Sequence, residues 1–120
     1  MRKLFHLAFL ALVLASCATN EIRHSEKVVR RHDTNNSPWI VFYYDIVGKD
    51  STCVGEKWFH DNGVLNLEGP IVNGKREGRG VVYHENGGVS IEGDYKEGSP
   101  VGLWTFYNEE GEIIDIQEYE

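Results

Sequence analysis

A spacing of 24 residues recurs through the second half of this 120-residue chain. Glycines, acids and aliphatic residues all repeat at that interval. Residues that are 24 positions apart form one column each, and the columns are Gly63, Gly87 and Gly111; Gly74 and Gly98; Gly78 and Gly102; Gly69 and Gly93; Glu68 and Glu92; and Leu65, Val89 and Ile113. Aromatic residues keep the same register, at Phe59, Tyr83 and Tyr107. So many coincidences at one offset indicate an internal structural repeat.

Within each repeat, apolar and polar residues alternate, which is typical of strands with one buried face. Leu67 and Ile71 fall on the predicted buried face, whereas Glu68 and its repeat equivalent Glu92 fall on the solvent face. Hairpin turns require positive φ, which glycine adopts at little cost. The predicted turn glycines are Gly63, Gly74, Gly87, Gly98 and Gly111. We predict an all-β fold, an antiparallel meander of about three stacked β-hairpin repeats in a single elongated twisted sheet.

The chain begins with the pattern of a bacterial secretory signal. Arg2 and Lys3 precede an apolar run over 4–15 that only His6 interrupts. A helix of that length extends about 18 Å, which is less than the roughly 30 Å of bilayer hydrocarbon. We therefore predict a signal peptide over 1–16 in preference to the alternative, a transmembrane helix.

The sequence Leu-Ala-Ser-Cys over 14–17 resembles the lipobox of bacterial lipoproteins. The resemblance implies cleavage before Cys17 and acylation of that cysteine, which would anchor the protein in the cell envelope. Because Ala18 rather than Asp follows, it also implies the outer membrane, facing the periplasm, in a Gram-negative organism. Ordinary signal cleavage that leaves a free thiol at Cys17 is the alternative.

The polar segment over 17–37 is interpreted as the lipidated cysteine with a flexible tether, and a short amphipathic helix within 22–31 is the alternative. The β-repeat domain is predicted over 38–120, with the β-prone residues 39–54 as its N-terminal cap. The formal net charge of 38–120 is −10. Nucleic acids and anionic headgroups attract Lys and Arg, so this charge disfavours both. A protein with a basic surface suits it better.

No residue pattern in the sequence indicates catalysis or a cofactor. Neither a nucleophile elbow nor a phosphate-binding loop occurs, and Cys53 is interpreted as a packing residue. His60 and His84 are repeat-equivalent, but strands two apart lie about 9 to 10 Å from each other, too far for one zinc ion. Glu68 and Glu92 are interpreted as solvated acids. We expect no enzyme activity, no metal and no cofactor.

Aromatic side chains are the candidate partner-binding groups, because Trp and Tyr are efficient interface anchors. The candidates are Trp58, Phe59, Tyr83, Tyr95, Trp104 and Tyr107. In a single sheet, the same columns are also expected to supply the core of the buried face.

The spacing of glycines and aromatic residues over about 55–119 resembles that of MORN repeats. It is most similar to a bacterial MORN-variant group, some members of which are labelled antitoxin-like. The matching positions are Gly69, Asn73, Gly74, Lys75, Gly78, Gly80 and Tyr83 in one unit, and Gly93, Tyr95, Gly98, Gly102, Trp104 and Tyr107 in the next. Glu56 departs from the pattern, in the slot that Gly80 and Trp104 fill. The leading hypothesis is a protein-interaction module; an antitoxin or immunity function and direct phospholipid binding are the alternatives that the resemblance implies.

Overall fold

The computed structural model describes residues 21–120. The predicted signal peptide over 1–16 and Cys17 lie outside the described residues. Nine β-strands form, and no helix forms, in the described part of the chain. The strands are β1 (Arg23–Arg31), β2 (Pro38–Val47), β3 (Asp50–Phe59), β4 (Leu65–Val72), β5 (Lys75–Arg76), β6 (Gly78–Tyr83), β7 (Val89–Lys96), β8 (Ser99–Tyr107) and β9 (Ile113–Tyr119).

All of these strands belong to one open antiparallel sheet in meander order. The sequence of neighbours is β1-β2-β3-β4-β6-β7-β8-β9, and the two-residue β5 pairs with β4 beside this path. Short connections keep consecutive strands adjacent, as is usual for hairpins. The predicted all-β meander is confirmed. Over 21–120, no helix has the length and apolar character needed to cross a membrane.

The 24-residue spacing appears in the sheet as a repeated irregularity. A β-bulge shifts the register immediately before Phe59, Tyr83 and Tyr107, near the ends of β3, β6 and β8. A bulge raises the local twist and re-aims the side chain beside it. The turn after each bulge is closed by the same pair of backbone hydrogen bonds. The three columns of the sequence repeat are thus three equivalent corners of the sheet.

All five predicted turn glycines have positive φ, between 77° and 88°. The turns at the other ends of the strands contain Asn73 and Glu97, which precede Gly74 and Gly98. These two residues also have positive φ, at 51° and 50°. Two successive positive values are the pattern of a type I′ turn, whose twist matches that of a hairpin. Asn tolerates this conformation better than Glu does. Short turns therefore join neighbouring strands at both of their ends.

The tether interpretation is wrong for residues 23–31. These residues form β1, which pairs with β2 from Arg23 opposite Ile46 to Arg31 opposite Pro38. The helical alternative for this segment does not form either. An edge strand exposed on both faces needs no apolar alternation, so its sequence resembles a linker. Among the described residues the sheet therefore begins at Arg23, and the predicted cap over 39–54 lies inside the sheet as β2 and part of β3.

Few side chains in this sheet are buried. Among the described residues, the buried apolar side chains are Val41, Ile71 and Trp104, and none reaches full burial. Most of the other apolar side chains are half-buried, and they lie on both faces. The predicted division into one buried face and one solvent face is wrong, because Glu68 and Glu92 are also half-buried. A single layer of strands leaves both faces open to contacts.

Candidate functional site

The two faces of the sheet carry different aromatic residues. Side chains that are direct neighbours across strands share a face, and successive residues alternate between faces. Trp58 pairs with Leu67, which pairs with Val82, so Trp58 lies on one face and Tyr83 on the other. We call the face of Trp58 the ring face and the face of Tyr83 the tyrosine face.

On the ring face, aromatic rings lie directly on glycine backbone. The ring of Trp104 meets the ring of Tyr95 edge-on, with 4.9 Å between centroids, and that of Tyr119 at 6.2 Å. A Cβ at Gly93 would lie 2.2 Å from a ring carbon of Trp104, and one at Gly80 would lie 2.7 Å from Tyr95. Any side chain at these two positions would displace the rings. Trp104 is only 6% exposed as a result.

An ion pair continues the series of contacts beyond Tyr95. The guanidinium of Arg76 lies 5.6 Å from the Tyr95 ring centroid. Its Nε donates to Oε1 of Glu56 over 2.6 Å, and the indole N–H of Trp58 faces Oε2 of the same carboxylate at 3.4 Å. Glu56 is 6% exposed and Arg76 is about one-third exposed. A buried carboxylate is costly without such partners, so Arg76 is held in place by Glu56.

Burial lowers the pKa of Arg76, but the hydrogen bond and negative charge of Glu56 outweigh that effect and raise it. The guanidinium therefore stays charged at every pH at which the protein is folded. A fixed positive charge on the face of an aromatic ring is a cation–π contact. This contact helps to hold both Arg76 and Tyr95 in place on the sheet.

Beyond Trp58 the contacts reach the N-terminal strands. Trp39 lies 6.4 Å from Trp58 in an edge-on arrangement, and Arg30 lies 5.8 Å from the Trp39 ring. We call the resulting unbroken series of side chains the ring stripe. It comprises Tyr119, Trp104, Tyr95, Arg76, Glu56, Trp58 and Trp39. The ring stripe crosses the sheet roughly perpendicular to its strands, from β9 to β2.

The tyrosine face repeats one hydrogen bond at the 24-residue interval. Tyr83 donates its hydroxyl to Glu68, and Tyr107 donates to Glu92, each over 2.6 Å. The bond to Glu68, assisted by burial and by negative charge, raises the pKa of Tyr83 to about 12. The equivalent bond to Glu92 raises the pKa of Tyr107. The prediction of solvated acids is wrong, since both carboxylates serve as hydrogen-bond acceptors.

The histidines of the corner turns link one repeat to the next. His32, His60 and His84 each donate Nε2 to a backbone carbonyl of the next corner, over 2.8 to 3.0 Å. Amides of the same turns also donate to the following turn, from Asn35, Asn62 and Asn86. These contacts give the histidines a structural role. Over residues 21–120, no group of three or more His, Cys, Asp or Glu side chains is placed to bind a metal ion.

The structure divides the six predicted partner-binding residues between the two faces. Trp58, Tyr95 and Trp104 belong to the ring stripe, whereas Tyr83 and Tyr107 make the paired hydrogen bonds of the tyrosine face. Phe59 is away from both sets. It lines a shallow groove formed with Val28, Val41 and Tyr43 of β1 and β2. The six residues do not form one surface.

Four members of the ring stripe are not among the six predicted partner-binding residues: Trp39, Glu56, Arg76 and Tyr119. One signal for them was available. Glu56 occupies the repeat position that Gly80 and Trp104 hold in later units. A carboxylate that packs against the sheet at such a position requires a basic partner. Arg76 is that base, but it lies on the two-residue β5, where the repeat predicts no functional group.

No family model matches this chain, and no curated protein and no solved structure is significantly similar to it. The MORN resemblance therefore rests on residue spacing alone. The site is defined by its geometry, a stripe of ordered aromatic rings with one clamped arginine on an open single-layer sheet.

Proposed function

We propose that this chain is a lipid-anchored protein of the bacterial envelope whose β-repeat domain binds another protein without catalysing a reaction. The ring stripe is the observation that supports this function best. Trp, Tyr and Arg dominate the energetics of protein interfaces, and the stripe gathers all three on one face. No second layer of structure covers that face among the described residues.

The order within the ring stripe favours binding. Tyr95 lies on Gly80, Trp104 lies on Gly93, and Arg76 is clamped by a buried carboxylate. Association normally costs the entropy of side chains that become immobile, about 0.5 to 1.5 kcal/mol for each flexible one. Contacts with the glycine backbone and with Glu56 already restrict these side chains. A partner that covers them therefore gains contact area at a low entropic cost.

The charge distribution indicates a partner with a basic rim. Residues 97–120 contain seven acidic residues and neither Lys nor Arg. This acidic region surrounds the β9 end of the stripe, where Tyr119 packs on Trp104. The same charge opposes direct binding of the repeats to anionic phospholipid. Neutralisation of a basic toxin is a special case of the proposed activity, and rescue of growth on co-expression with such a toxin would identify it.

Acylation of Cys17 would hold the domain at a membrane, because each buried methylene of an acyl chain contributes about 0.8 kcal/mol. Five residues separate Cys17 from Arg23, where β1 begins. Such a connection spans at most about 20 Å. The domain would therefore work close to the bilayer surface, on partners that are membrane-bound or reach the membrane. Inhibition of lipoprotein processing should change the mass of the full chain, and Cys17→Ser should abolish that change.

Two neighbouring aromatic residues provide a matched test of the binding face. Trp58 and Phe59 are adjacent on β3 and both half-buried, but they belong to opposite faces. We expect Trp58→Ala to reduce recovery of the bound protein from membranes by about tenfold or more, as loss of an interface anchor does. We expect Phe59→Ala to change it by less than about twofold. Equal losses in the two variants, with circular dichroism unchanged, would contradict the proposal.

A further inference from the structure

The two edge strands of the sheet carry opposite charge. β1 contains four basic residues and one acid, whereas residues 109–120, which include β9, contain six acids and no base. These two strands are the outermost of the sheet that residues 21–120 form. Almost all of their side chains are exposed, including apolar ones. An exposed strand edge is a template for a further strand.

Rows of paired residues run unbroken from one edge strand to the other. One row consists of Arg30, Ile40, Trp58, Leu67, Val82, Ile91, Phe106 and Asp115. The adjacent row consists of Val28, Val41, Lys57, Glu68, Val81, Glu92, Thr105 and Ile116. The first row therefore starts with a base and ends with an acid. The second starts and ends with an aliphatic side chain.

The number of strands along the sheet determines the orientation in which a second copy can extend it. Eight strands alternate in direction along the path of the sheet, so β9 runs antiparallel to β1. A second copy placed with its β1 beside β9 would continue the meander without turning over. We propose that copies of this chain associate head to tail, with β9 of one copy paired antiparallel to β1 of the next.

Continuing the two rows across this junction gives complementary pairs. Asp115 lies opposite Arg30 of the next copy, an ion pair of opposite charges across strands. Ile116, which is 54% exposed, lies opposite Val28 of the next copy, so an exposed apolar side chain is covered. Further along, Gln117 meets Lys27. Strand addition of this kind derives its affinity from main-chain hydrogen bonds and its specificity from such side-chain pairs.

The same charges disfavour the other arrangements of two copies. Two β9 edges would bring acids together, and two β1 edges would bring bases together, both of which are repulsive. Only the mixed pairing joins opposite charges. A head-to-tail contact does not close after two copies, so it builds rings or filaments. On the proposed register one like-charge pair remains, Glu26 with Glu118, and it limits the strength of the contact.

Disulfide trapping in the full chain tests the register. With Cys53→Ser in place, Val28→Cys combined with Ile116→Cys should give a ladder of covalent dimers, trimers and larger species on non-reducing gels of cell envelopes. Chains with only Val28→Cys, co-expressed with chains with only Ile116→Cys, should stop at the dimer. The off-register control, Val28→Cys with Gln117→Cys, should trap at least about fivefold less, because neighbouring residues alternate between faces.

Each single-cysteine chain alone should remain at the background of Cys53→Ser, which also reports any contribution from Cys17. Efficient dimers from either one alone would mean a symmetric contact between like edges, which contradicts the proposal. A monomeric double variant would contradict it as well. So would adducts to an unrelated protein in place of the ladder.

Charge exchange tests the ion pair independently. Asp115→Arg should lower the yield of the Val28–Ile116 ladder by about three- to fivefold, within the range of an exposed pair. Adding Arg30→Asp to the same chain should restore most of the yield, and Glu26→Lys in the parent should raise it. Failure of the second exchange to restore the ladder would overturn the register. Tyr95→Ala removes a ring of the ring stripe on β7, away from both edge strands, and should leave the ladder unchanged. This separates the contact from binding by the ring stripe.

Discussion

The ring face and the tyrosine face are built on the same strands, yet they keep the 24-residue repeat to different degrees. On the tyrosine face, the hydrogen bond between Tyr83 and Glu68 recurs 24 residues later. On the ring face, the equivalent positions 56, 80 and 104 hold a buried carboxylate, a glycine and a tryptophan. The repeated face stabilises the stack of hairpins. The face that departs from the repeat gives this chain an individual surface, which is where recognition is expected.

The largest predicted effect on stability comes from disturbing the contact between the Trp104 ring and the backbone of Gly93. Gly93→Ala places a Cβ where the Trp104 ring lies, at 2.2 Å, so the ring must leave its position. Overpacking of this kind costs about 1 to 3 kcal/mol, and we expect the upper end because Trp104 is buried. Gly55→Ala is the matched control, since its nearest neighbour would be 3.4 Å away. Equal urea midpoints for the two variants would show that Trp104 does not lie on Gly93.

A smaller effect is expected from the ion pair. Glu56→Gln keeps the shape of the side chain but removes the charge that clamps Arg76. Because Arg76 is partly exposed, solvent screens the loss, and we expect about 1 to 2 kcal/mol. Glu77→Gln is the control, because its carboxylate accepts a backbone N–H from Glu97 rather than binding an arginine. A stability loss in Glu77→Gln as large as that in Glu56→Gln would remove the distinction drawn for the ring stripe.

The smallest predicted effect on stability comes from removing a hydrogen bond of the tyrosine face, and this effect depends on pH. The pKa of Tyr83 is about 12 in the folded chain and about 10 in the unfolded chain. The folded state therefore holds the proton more tightly, so this stabilisation is complete below about pH 10 and is lost as the pH rises to about 12. We expect Tyr83→Phe to cost about 1 kcal/mol at neutral pH. The difference from the wild type should shrink above about pH 10.

Urea unfolding of both proteins at about pH 8 and about pH 11 measures this difference. Tyr107→Phe should behave in the same direction, because its hydroxyl makes the equivalent bond to Glu92. A difference between wild type and Tyr83→Phe that is constant with pH would show that Tyr83 is not bonded to Glu68.

The sequence was sufficient for the repeating part of the fold, and its limits have physical causes. The columns of glycines and aromatic residues predict the corners and the meander, since those positions need particular φ values and bulges. β1 was missed because an edge strand with few buried side chains lacks apolar alternation. The turn after it carries the same signal as later corners, however, because His32 and Asn35 act as His60 and Asn62 do.

The candidate site was only half predictable. Trp58 and Phe59 are adjacent on a strand, so they point to opposite faces, and grouping them as one surface neglected that alternation. Arg76 could not be assigned from the repeat, because its equivalent one unit later is Pro100. Its role depends on a buried acid on another strand, and such a long-range pair is visible only in the folded chain.

Photocrosslinking in living cells tests whether the ring face is the binding face. A photoreactive phenylalanine would be placed in the full chain at positions 57, 58 and 59 in turn, and likewise at 81 and 82. Because neighbouring residues alternate between faces, we expect adducts to one protein from positions 58 and 82 and none from 57, 59 and 81. Adducts of equal yield from all five positions, or from 57, 59 and 81 alone, would contradict it.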